Sequence, residues 1–265
     1  MAFEKQLARW LEMTRQEPPL REELEAILDD PKAIEDRFYT ELSFGTGGMR
    51  GVIGAGDNRI NVFTIRRAAA GLADYLLDDP DSAGKCVAIA YDSRLYSDLF
   101  AMQTALTLAA RGIQACLFDA LRPVPVLSFA VRRLGAAAGV VITASHNPPQ
   151  YNGFKVYGPD GAQLAPAAAD RVTRNIRGLD YGDCAPMPEK EARHKGLLVR
   201  IGREEVDDAY TAMVLGLLTR PALCKSDGGG LSIVYTPLHG SGNIPVRRVL
   251  AEAGFTRVQV VAEQE

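Results

Sequence analysis

One short stretch decides the fold of this chain: Gly139-Val-Val-Ile-Thr-Ala-Ser-His-Asn-Pro-Pro-Gln-Tyr-Asn-Gly-Phe-Lys155. Its apolar start, residues 140–142, predicts a buried β-strand, and the two adjacent prolines prevent a regular element from continuing. The sequence therefore places the hydroxyl of Ser145 on an exposed loop after a strand, at the edge where open α/β sheets bind ligands. Lys155 lies in the next short apolar run, and a turn at Asn152-Gly153 can bring its amine back toward that hydroxyl.

Helix and strand patterns alternate along the residues that precede this stretch. Helical periodicity fills three segments of the first 42 residues. The predicted elements that follow are a helix at 64–77, a strand at 86–91, a helix at 97–111, a strand at 113–118, a helix at 124–134 and a strand at 138–143. Thr64 is the predicted N-cap of the first of these helices. Strands separated by helices of this length predict right-handed crossovers and a largely parallel sheet.

A polar, proline-containing stretch at 180–195 separates this alternation from a shorter second unit. That unit is predicted to hold a helix at 204–218, a glycine-rich turn, a strand at 231–235, a helix at 244–253 and a strand at 257–261. We therefore predict an N-terminal helical segment at 1–43, an α/β/α domain at 44–190 and a partial second α/β domain at 196–265. Two helices and two strands make a thin core for an independent domain.

Composition excludes several classes of protein. The 265 residues include 30 basic and 33 acidic side chains, a net charge of −3, so no global field predicts a nucleic-acid or membrane partner. The N-terminus is charged and amphipathic, unlike a signal peptide, and no apolar stretch reaches the roughly 20 residues of a membrane span. Four cysteines without paired spacing indicate core thiols in a reducing compartment, which predicts a cytoplasmic protein.

A second motif, Phe44-Gly-Thr-Gly-Gly-Met-Arg-Gly51, precedes the first. Its glycines allow backbone N–H groups to approach an anion, and Arg50 adds a planar, permanently charged fork suited to phosphate. The motif is not a Walker A loop, because no Gly-Lys-Ser/Thr follows it. It is not a dinucleotide fingerprint either, because it follows a predicted helix instead of a strand.

Together the two motifs resemble the α-D-phosphohexomutases, the phosphoglucomutase and phosphomannomutase superfamily. Thr-Ala-Ser-His-Asn-Pro at 143–148 is similar to their active-serine loop, and residues 44–51 are similar to their N-terminal active-site loop. The resemblance implies an α/β/α domain of the phosphoglucomutase type with a mostly parallel sheet, plus part of a second such domain. The long helical N-terminus is closer to the bacterial phosphoglucomutase branch that also includes phosphopentomutases.

The resemblance also implies roles for individual residues. Ser145 is the phosphoryl carrier, and Lys155 is the general acid/base, a role that requires its pKa to be lowered by nearby positive charge or desolvation. The predicted catalytic residues are Ser145, Lys155, His146 and Arg50. The predicted phosphate-binding residues are Thr46, Gly47, Gly48, Arg94, Asn147 and His239.

Two of these residues lie in loops that follow other predicted strands. Arg94 ends Tyr91-Asp-Ser-Arg94, where it either supports the serine loop or pairs with Asp92. His239 lies in Thr236-Pro-Leu-His-Gly-Ser-Gly242, a turn before a helix that suits an anion. That loop is similar to the His-Gly loop of the family's second domain, which lies near metal and phosphate; an ordinary capping loop is the alternative.

The expected metal ligands are incomplete. The family binds Mg²⁺ through the serine phosphate and an Asp-Gly-Asp-x-Asp loop, which does not occur in this sequence. Ser145, through its phosphate, is then the one predicted ligand, and Mg²⁺ and a bisphosphosugar activator are expected in the complete enzyme. The acidic pairs at 29–30 and 207–208 are predicted to have ordinary helix-end or solvated roles. We expect the chain to be the N-terminal part of a longer enzyme and to be inactive alone.

The preferred interpretation is a phosphoglucomutase that interconverts hexose 1-phosphate and hexose 6-phosphate. Phosphomannomutase, phosphopentomutase and a non-catalytic phosphosugar-binding module stay open. A Ser-His hydrolase is disfavoured, because adjacent side chains of an extended chain point to opposite sides and no Gly-x-Ser-x-Gly elbow is present. The predicted partner is a small phosphosugar, with no nucleic acid and no membrane, and the oligomeric state is left open.

Overall fold

The computed structural model describes residues 3–45 and 47–265. The helices are α1 Glu4–Met13, α2 Pro18–Glu25, α3 Pro31–Phe38, α4 Val62–Leu77, α5 Ser97–Ala110, α6 Val124–Leu134, α7 Pro166–Gly178, α8 Glu189–His194, α9 Asp208–Leu215, α10 Pro221–Asp227 and α11 Asn243–Ala253. The strands are β1 Gly48–Val52, β2 Val87–Tyr91, β3 Ala115–Phe118, β4 Ala138–Ile142, β5 Tyr151–Tyr157, β6 Leu198–Ile201, β7 Ser232–Tyr235 and β8 Arg257–Val260.

A six-stranded sheet with the order β1-β5-β4-β2-β3-β6 forms the centre of the fold. The strands β4, β2, β3 and β6 are parallel, whereas β5 and β1 are antiparallel additions at one edge. Apolar side chains of α4, α5 and α7 cover one face of the sheet, and those of α6 cover the other. The predicted α/β/α layering and mostly parallel sheet are confirmed.

Most predicted elements lie within a few residues of the observed ones, and α6 coincides with its prediction. Gly135 ends α6 with φ 60°, in the left-handed region that favours glycine. The predicted N-cap of α4 is wrong. Asn61 is the cap, because its Oδ1 accepts from the backbone N–H groups of Phe63 and Thr64. Thr64 instead supplies the reciprocal contact, its Oγ1 accepting from the N–H of Asn61, so the helix begins two residues earlier than predicted.

The three N-terminal helices pack onto the α/β unit around Trp10, which is almost fully buried. The indole N–H of Trp10 donates to Asp57 Oδ1 over 3.0 Å, and the Tyr181 hydroxyl donates to the same oxygen over 2.8 Å. This shared carboxylate satisfies both buried donors, as burial of polar groups requires. The predicted helical segment therefore belongs to the core of the first unit.

The strand β6 has no clear signal in the sequence, since it has only four residues and two of them are polar or half-buried. It pairs in parallel with β3, so it extends the first sheet although it follows the polar stretch at 180–195. The predicted domain boundaries stay a prediction.

The four cysteines are free thiols. No helix in the described ranges is both long and apolar enough to cross a membrane.

The second unit consists of the parallel pair β7–β8 with the helices around it. The predicted single helix at 204–218 is wrong: a π-helical turn at Arg203–Asp207 leads into α9, which ends at Leu215. The two aspartates at this junction contact different units. Asp207 accepts from the buried Arg122 of the first unit, and Asp208 accepts from Arg248 of α11. Asp207 therefore joins the two units, a contact that the sequence interpretation missed, whereas Asp208 lies half exposed in the first turn of α9, in keeping with the predicted helix-end role.

Candidate active site

Ser145 lies on a tight turn directly after β4. Thr143 and Ala144 are still buried, whereas Ser145 is exposed. Its φ is 57°, a left-handed conformation that is uncommon for a residue other than glycine. The backbone N–H of Ser145 donates to Thr143 Oγ1 over 2.9 Å, which holds this turn. The arrangement presents the hydroxyl to solvent at the carboxyl end of the parallel strands, as the sequence predicts.

His146 lies beside this hydroxyl. Ser145 Oγ and His146 Nδ1 are 3.4 Å apart, at the long limit of a hydrogen bond. The prediction that the two side chains diverge is wrong, because it assumed extended backbone and Ser145 is left-handed. The imidazole can therefore exchange a proton with the hydroxyl once the two groups move slightly closer.

Arg94 organises the whole serine loop. Its Nη2 donates to the carbonyls of Ser145 (2.7 Å) and Asn147 (2.6 Å), and its Nη1 donates to the carbonyls of Pro148 (2.9 Å) and Tyr151 (3.1 Å). The four Nη–H donors of the guanidinium are thus directed to backbone oxygens of one loop. This supports the first of the two predicted roles for Arg94, support of the serine loop.

Asp92 holds Arg94 in place, so the second predicted role is present as well. Asp92 Oδ1 accepts from the backbone N–H of Arg94 over 3.0 Å and from the Ser97 hydroxyl over 2.7 Å. Its Oδ2 lies 3.6 Å from Arg94 Nε, and both side chains are only 15% exposed. The carboxylate therefore orients a largely buried guanidinium that in turn shapes the loop.

Asn152 is a supporting residue that the sequence does not single out beyond a turn signal. It is fully buried, and its Nδ2 donates to the carbonyl of Leu95 (3.0 Å) and to the Ser97 hydroxyl (2.9 Å). Its Oδ1 accepts from the N–H of Gly153. This amide therefore connects the loop after β2 to the start of β5, across 57 residues of sequence.

The glycine-rich motif forms a tight turn before β1. The N–H of Gly45 donates to the carbonyl of Gly48 over 2.8 Å, and Gly47 has φ 77°. A Cβ on Gly48 would lie 2.3 Å from the carbonyl oxygen of Phe154, so only glycine allows the two strands to approach this closely. Thr46, a predicted phosphate-binding residue, lies outside the described residues.

The register of β1 against β5 places Arg50 and Lys155 on one face of the sheet. Gly48 pairs with Lys155, and Arg50 pairs with Gly153, so the two cationic residues are diagonal neighbours. Burial lowers the pKa of Lys155 below its usual value, and the positive charge of Arg50 lowers it further, while Asp92 acts in the opposite direction. The sequence interpretation invokes both of these causes for an acid/base lysine.

We expect Arg50→Gln to move the pKa of Lys155 to higher pH, because it removes the charge repulsion and leaves the desolvation. The measurement is the pH midpoint of acetylation of Lys155 by a trace of acetic anhydride, read by peptide mass spectrometry, since only the neutral amine reacts. Arg15→Gln, in the turn between α1 and α2, is the matched control and should leave the midpoint unchanged. An equal midpoint in the Arg50 variant would exclude the coupling.

A cleft of about 830 Å³ opens beside Ser145. Three loops form it, and its lining residues are Asp92, Ser93, Arg94, Leu95, Ser145, Asn147, Pro149, Gln150, Leu238, His239 and Gly240. The loop after β7 therefore reaches the edge of the first sheet, where it brings His239 to the same cleft as Ser145. The phosphate-binding role predicted for His239 and the alternative of an ordinary capping loop both stay predictions.

The sequence of the chain matches a known protein family over the residues that form this site. Residues 41–182 match the family described as "Phosphoglucomutase/phosphomannomutase, alpha/beta/alpha domain I", which is more than half of the chain. The chain belongs to this family. The matched residues contain the glycine-rich turn, the Arg94 loop and the Ser145 loop.

Named relatives agree with this assignment. The chain is 40% identical over 233 residues to a phosphoglucomutase of Staphylococcus haemolyticus, a match that covers 87% of this chain and 40% of that protein. It is 38% identical over 233 residues to a phosphoglucomutase of Staphylococcus aureus strain USA300, covering 87% and 41%. A crystal structure from Thermus thermophilus, assigned as a phosphomannomutase, has a TM-score of 0.68 and 27% identity, covering 85% of this chain and 46% of that one. The chain thus spans about two fifths of the length of these curated relatives.

The phosphoglucomutase/phosphomannomutase fold brings together some of the predicted site residues. Ser145, Asn147, Arg94 and His239 line one cleft, and His146 contacts Ser145. Arg50, Lys155 and the described glycines of the motif lie on the adjacent β1–β5 edge. Sequence reasoning missed Thr143 and Asn152. Their signals are weak, because a threonine or asparagine beside a turn is common.

This family implies a metal cofactor, and the residues present do not form a cage for one. Within the described ranges, no three His, Cys, Asp or Glu side chains gather in a way that could hold a metal ion. The oxygens of Asp92, the carboxylate beside Ser145, are already directed to Arg94 and Ser97. One buried polar atom at the site, Asn147 Oδ1, has no partner and could accept from a ligand.

Proposed function

We propose that these residues form the phosphoryl-carrier part of a phosphosugar mutase of the phosphoglucomutase type. Such an enzyme interconverts hexose 1-phosphate and hexose 6-phosphate through a phosphoserine enzyme and a bisphosphosugar. One observation carries the proposal: Ser145 is presented from a strained turn into a cleft, on a loop whose carbonyls are held by Arg94. Phosphoryl transfer depends mainly on positioning and on stabilisation of charge, and this arrangement supplies positioning.

The proposed first step transfers the phosphoryl group from Ser145 to the free hydroxyl of the sugar. The neutral amine of Lys155 accepts the proton of the sugar hydroxyl. The oxygen of that hydroxyl forms a bond to phosphorus while the bond between phosphorus and Ser145 Oγ breaks. His146 returns a proton to the departing Oγ, from which its Nδ1 is 3.4 Å away. The lowered pKa of Lys155 supports this role, because a fully charged amine cannot accept a proton.

The bisphosphosugar then turns around and gives its other phosphoryl group to Ser145 by the reverse of the same steps. Arg50 offers a planar cation to the phosphate during transfer. Phosphate binding by the glycine turn stays a prediction, because the N–H groups of Gly45 and Gly48 donate to each other's carbonyls. Asn147 and His239 lie on the walls of the cleft, where each can donate to a phosphate oxygen. A phosphate-binding role for Arg94 stays a prediction, because its Nη–H donors are directed to the loop.

Mg²⁺ and a bisphosphosugar activator belong to this proposal for a protein of the relatives' length. When bound, the metal would offset negative charge on the transferring group. The described residues do not hold a metal on their own, so no step above depends on one. A phosphoserine at 145 and a cytoplasmic location are part of the same proposal, and the four free thiols are compatible with that location.

Glucose is the proposed sugar, since the relatives at 40% and 38% identity are named phosphoglucomutases. Mannose stays the second candidate, because the Thermus thermophilus structure is assigned as a phosphomannomutase. Pentose phosphates stay open as well. A non-catalytic phosphosugar-binding role for the 265 residues is favoured by one observation, the lack of a metal-holding cluster among the described residues.

The 265-residue chain alone is expected to bind glucose 1-phosphate but to form no glucose 6-phosphate. Lys155 and a few donors would face the charge of the transferring group without a metal cage, and each 1.4 kcal/mol of missing stabilisation costs about tenfold in rate. The assay supplies glucose 1-phosphate, Mg²⁺ and glucose 1,6-bisphosphate, with a Ser145→Ala control. A protein of the relatives' length built on these residues should form product in the same assay. No turnover by the longer protein on glucose, mannose or pentose phosphates would exclude the mutase.

A further inference from the structure

Backbone strain is concentrated around the cleft. Three non-glycine residues of the described chain have positive φ: Tyr96 at 62°, Ser145 at 57° and Leu238 at 50°. Ser145 and Leu238 line the cleft, and Tyr96 follows its lining residue Leu95. A left-handed conformation costs a branched or bulky residue free energy, so it persists only where surrounding contacts impose it. Each of the three loops therefore needs a contact that holds it, and for the Ser145 loop that contact is Arg94.

The contact for the Leu238 loop comes from the first unit. The hydroxyl of Ser93 donates to the backbone carbonyl of His239 over 2.8 Å, across 146 residues of sequence. Among the described residues, no other hydrogen bond joins the loop 236–242 to the six-stranded unit. Ser93 stands between Asp92 and Arg94, so the same short segment holds both the Ser145 loop and the Leu238 loop.

We propose that Ser93 is a positioning residue, whose hydroxyl latches the loop of Leu238 and His239 over the cleft beside Ser145. Further contacts between the units lie at the π-helical turn and in α9, where Arg122 donates to Asp207 and the ring of Phe129 contacts that of Tyr210. None of these contacts involves the loop 236–242. The hydroxyl of Ser93 supplies the tether at the cleft itself. The latch stands on geometry alone, whereas its consequence for sugar binding rests on the proposed function.

Two exposed leucines, on two of the three loops, line the cleft that the latch would narrow. Leu95 and Leu238 are 62% and 60% exposed, and both line the cleft. Held in place, they narrow the cleft with apolar walls, a surface suited to the carbon-bound hydrogens of a sugar ring. Without the hydrogen bond from Ser93, the loop that carries Leu238 and His239 would be free to move away from Ser145.

The test uses Ser93→Ala in the 265-residue chain, with two matched variants. Ser93→Thr keeps a hydroxyl and should preserve the latch, and Ser226→Ala removes an exposed serine hydroxyl elsewhere in the second unit. The readout is the ¹⁵N order parameter of the backbone at 238–240. We expect it to fall from about 0.85 to below about 0.6 in Ser93→Ala only. Because Ser93 is exposed, the urea midpoint of unfolding should not move, whereas a general structural loss would move it.

Titration with glucose 1-phosphate separates the latch from the proposed function. Ser93→Ala should weaken binding by about fivefold, the factor that corresponds to one hydrogen bond. Unchanged order at 238–240 in Ser93→Ala, or equal loosening in Ser93→Thr, would overturn the latch whatever the sugar does. Failure of the wild-type chain to bind glucose 1-phosphate would instead count against the proposed function, and the order parameters would still decide the role of Ser93.

Discussion

Ser145→Ala is expected to reduce mutase turnover to background in a protein of the relatives' length built on these residues. The proposal assigns the phosphoryl group to Ser145, whose side chain is the one exposed hydroxyl on residues 145–150 of the loop that Arg94 organises. Folding should be preserved, with a change in the free energy of unfolding below about 0.5 kcal/mol, because an exposed side chain away from the core contributes little.

Alanine is a suited replacement because it changes the chemistry and spares the backbone. It has the same left-handed cost as serine at φ 57°, and the N–H of residue 145 can still donate to Thr143 Oγ1. Turnover is measured as glucose 6-phosphate formed from glucose 1-phosphate, and phosphorylation is followed by intact mass. Ser226→Ala serves as the matched control. A Ser145→Ala enzyme with near-normal turnover would show that another residue carries the phosphoryl group.

Arg94→Ala is expected to destabilise the first unit by about 3–5 kcal/mol, the cost of breaking a largely buried ion pair and leaving its partner charged. Asp92 would lose the guanidinium that neutralises it, and four carbonyls of the serine loop would lose their donors. The same variant should abolish turnover in the longer protein, because the loop that presents Ser145 would no longer be fixed.

Urea unfolding followed by the fluorescence of Trp10 measures this effect. Trp10 is the single tryptophan, and it is buried against Phe63 and Tyr181 in the first unit. Arg203→Ala is the control, because Arg203 is 78% exposed and its ion pair with Asp208 should contribute less than about 1 kcal/mol. If Arg94→Ala unfolded at the same urea concentration as this control, the Arg94 contacts would not contribute to the free energy of unfolding.

The two variants test different levels of the same site. Ser145 acts through its own oxygen, whereas Arg94 acts on the backbone that carries that oxygen. A loss of turnover without a loss of stability is therefore expected only for Ser145→Ala. This difference distinguishes a chemical role from a supporting role in one set of measurements.

Some features could be read from the sequence because their signals are local. The run Val140–Ile142 followed by small residues and prolines predicts a strand that ends in an exposed loop, and the structure has β4 and the Ser145 turn there. The helix α6 and its end at Gly135 were predictable for the same reason, since periodicity and a C-terminal glycine act within a few residues. The motif at 44–51 also indicates a glycine turn without any knowledge of the sheet.

Other features depend on contacts between distant residues, which a local pattern does not encode. The left-handed Ser145 brings His146 to its hydroxyl, against the expectation from extended chain. The four-residue strand β6 is defined by its pairing with β3 more than by its own composition. The cap of α4 also depends on distant contacts. Asn61 is the cap instead of Thr64 because its amide also donates to the carbonyls of Gly54 and Gly56.

By itself the sequence determined the α/β alternation, the exposed hydroxyl after β4 and the resemblance of the two motifs to the phosphohexomutases, because these follow from short-range periodicity and residue type. Only the tertiary structure decided which groups meet. The register of β1 on β5 sets Arg50 beside Lys155, and the loop geometry directs Arg94 to the serine loop. The hydroxyl of Ser93 reaches His239 for the same reason. Register and long-range hydrogen bonds are set by how the whole core packs, because they join residues that are 53 to 146 positions apart in the sequence.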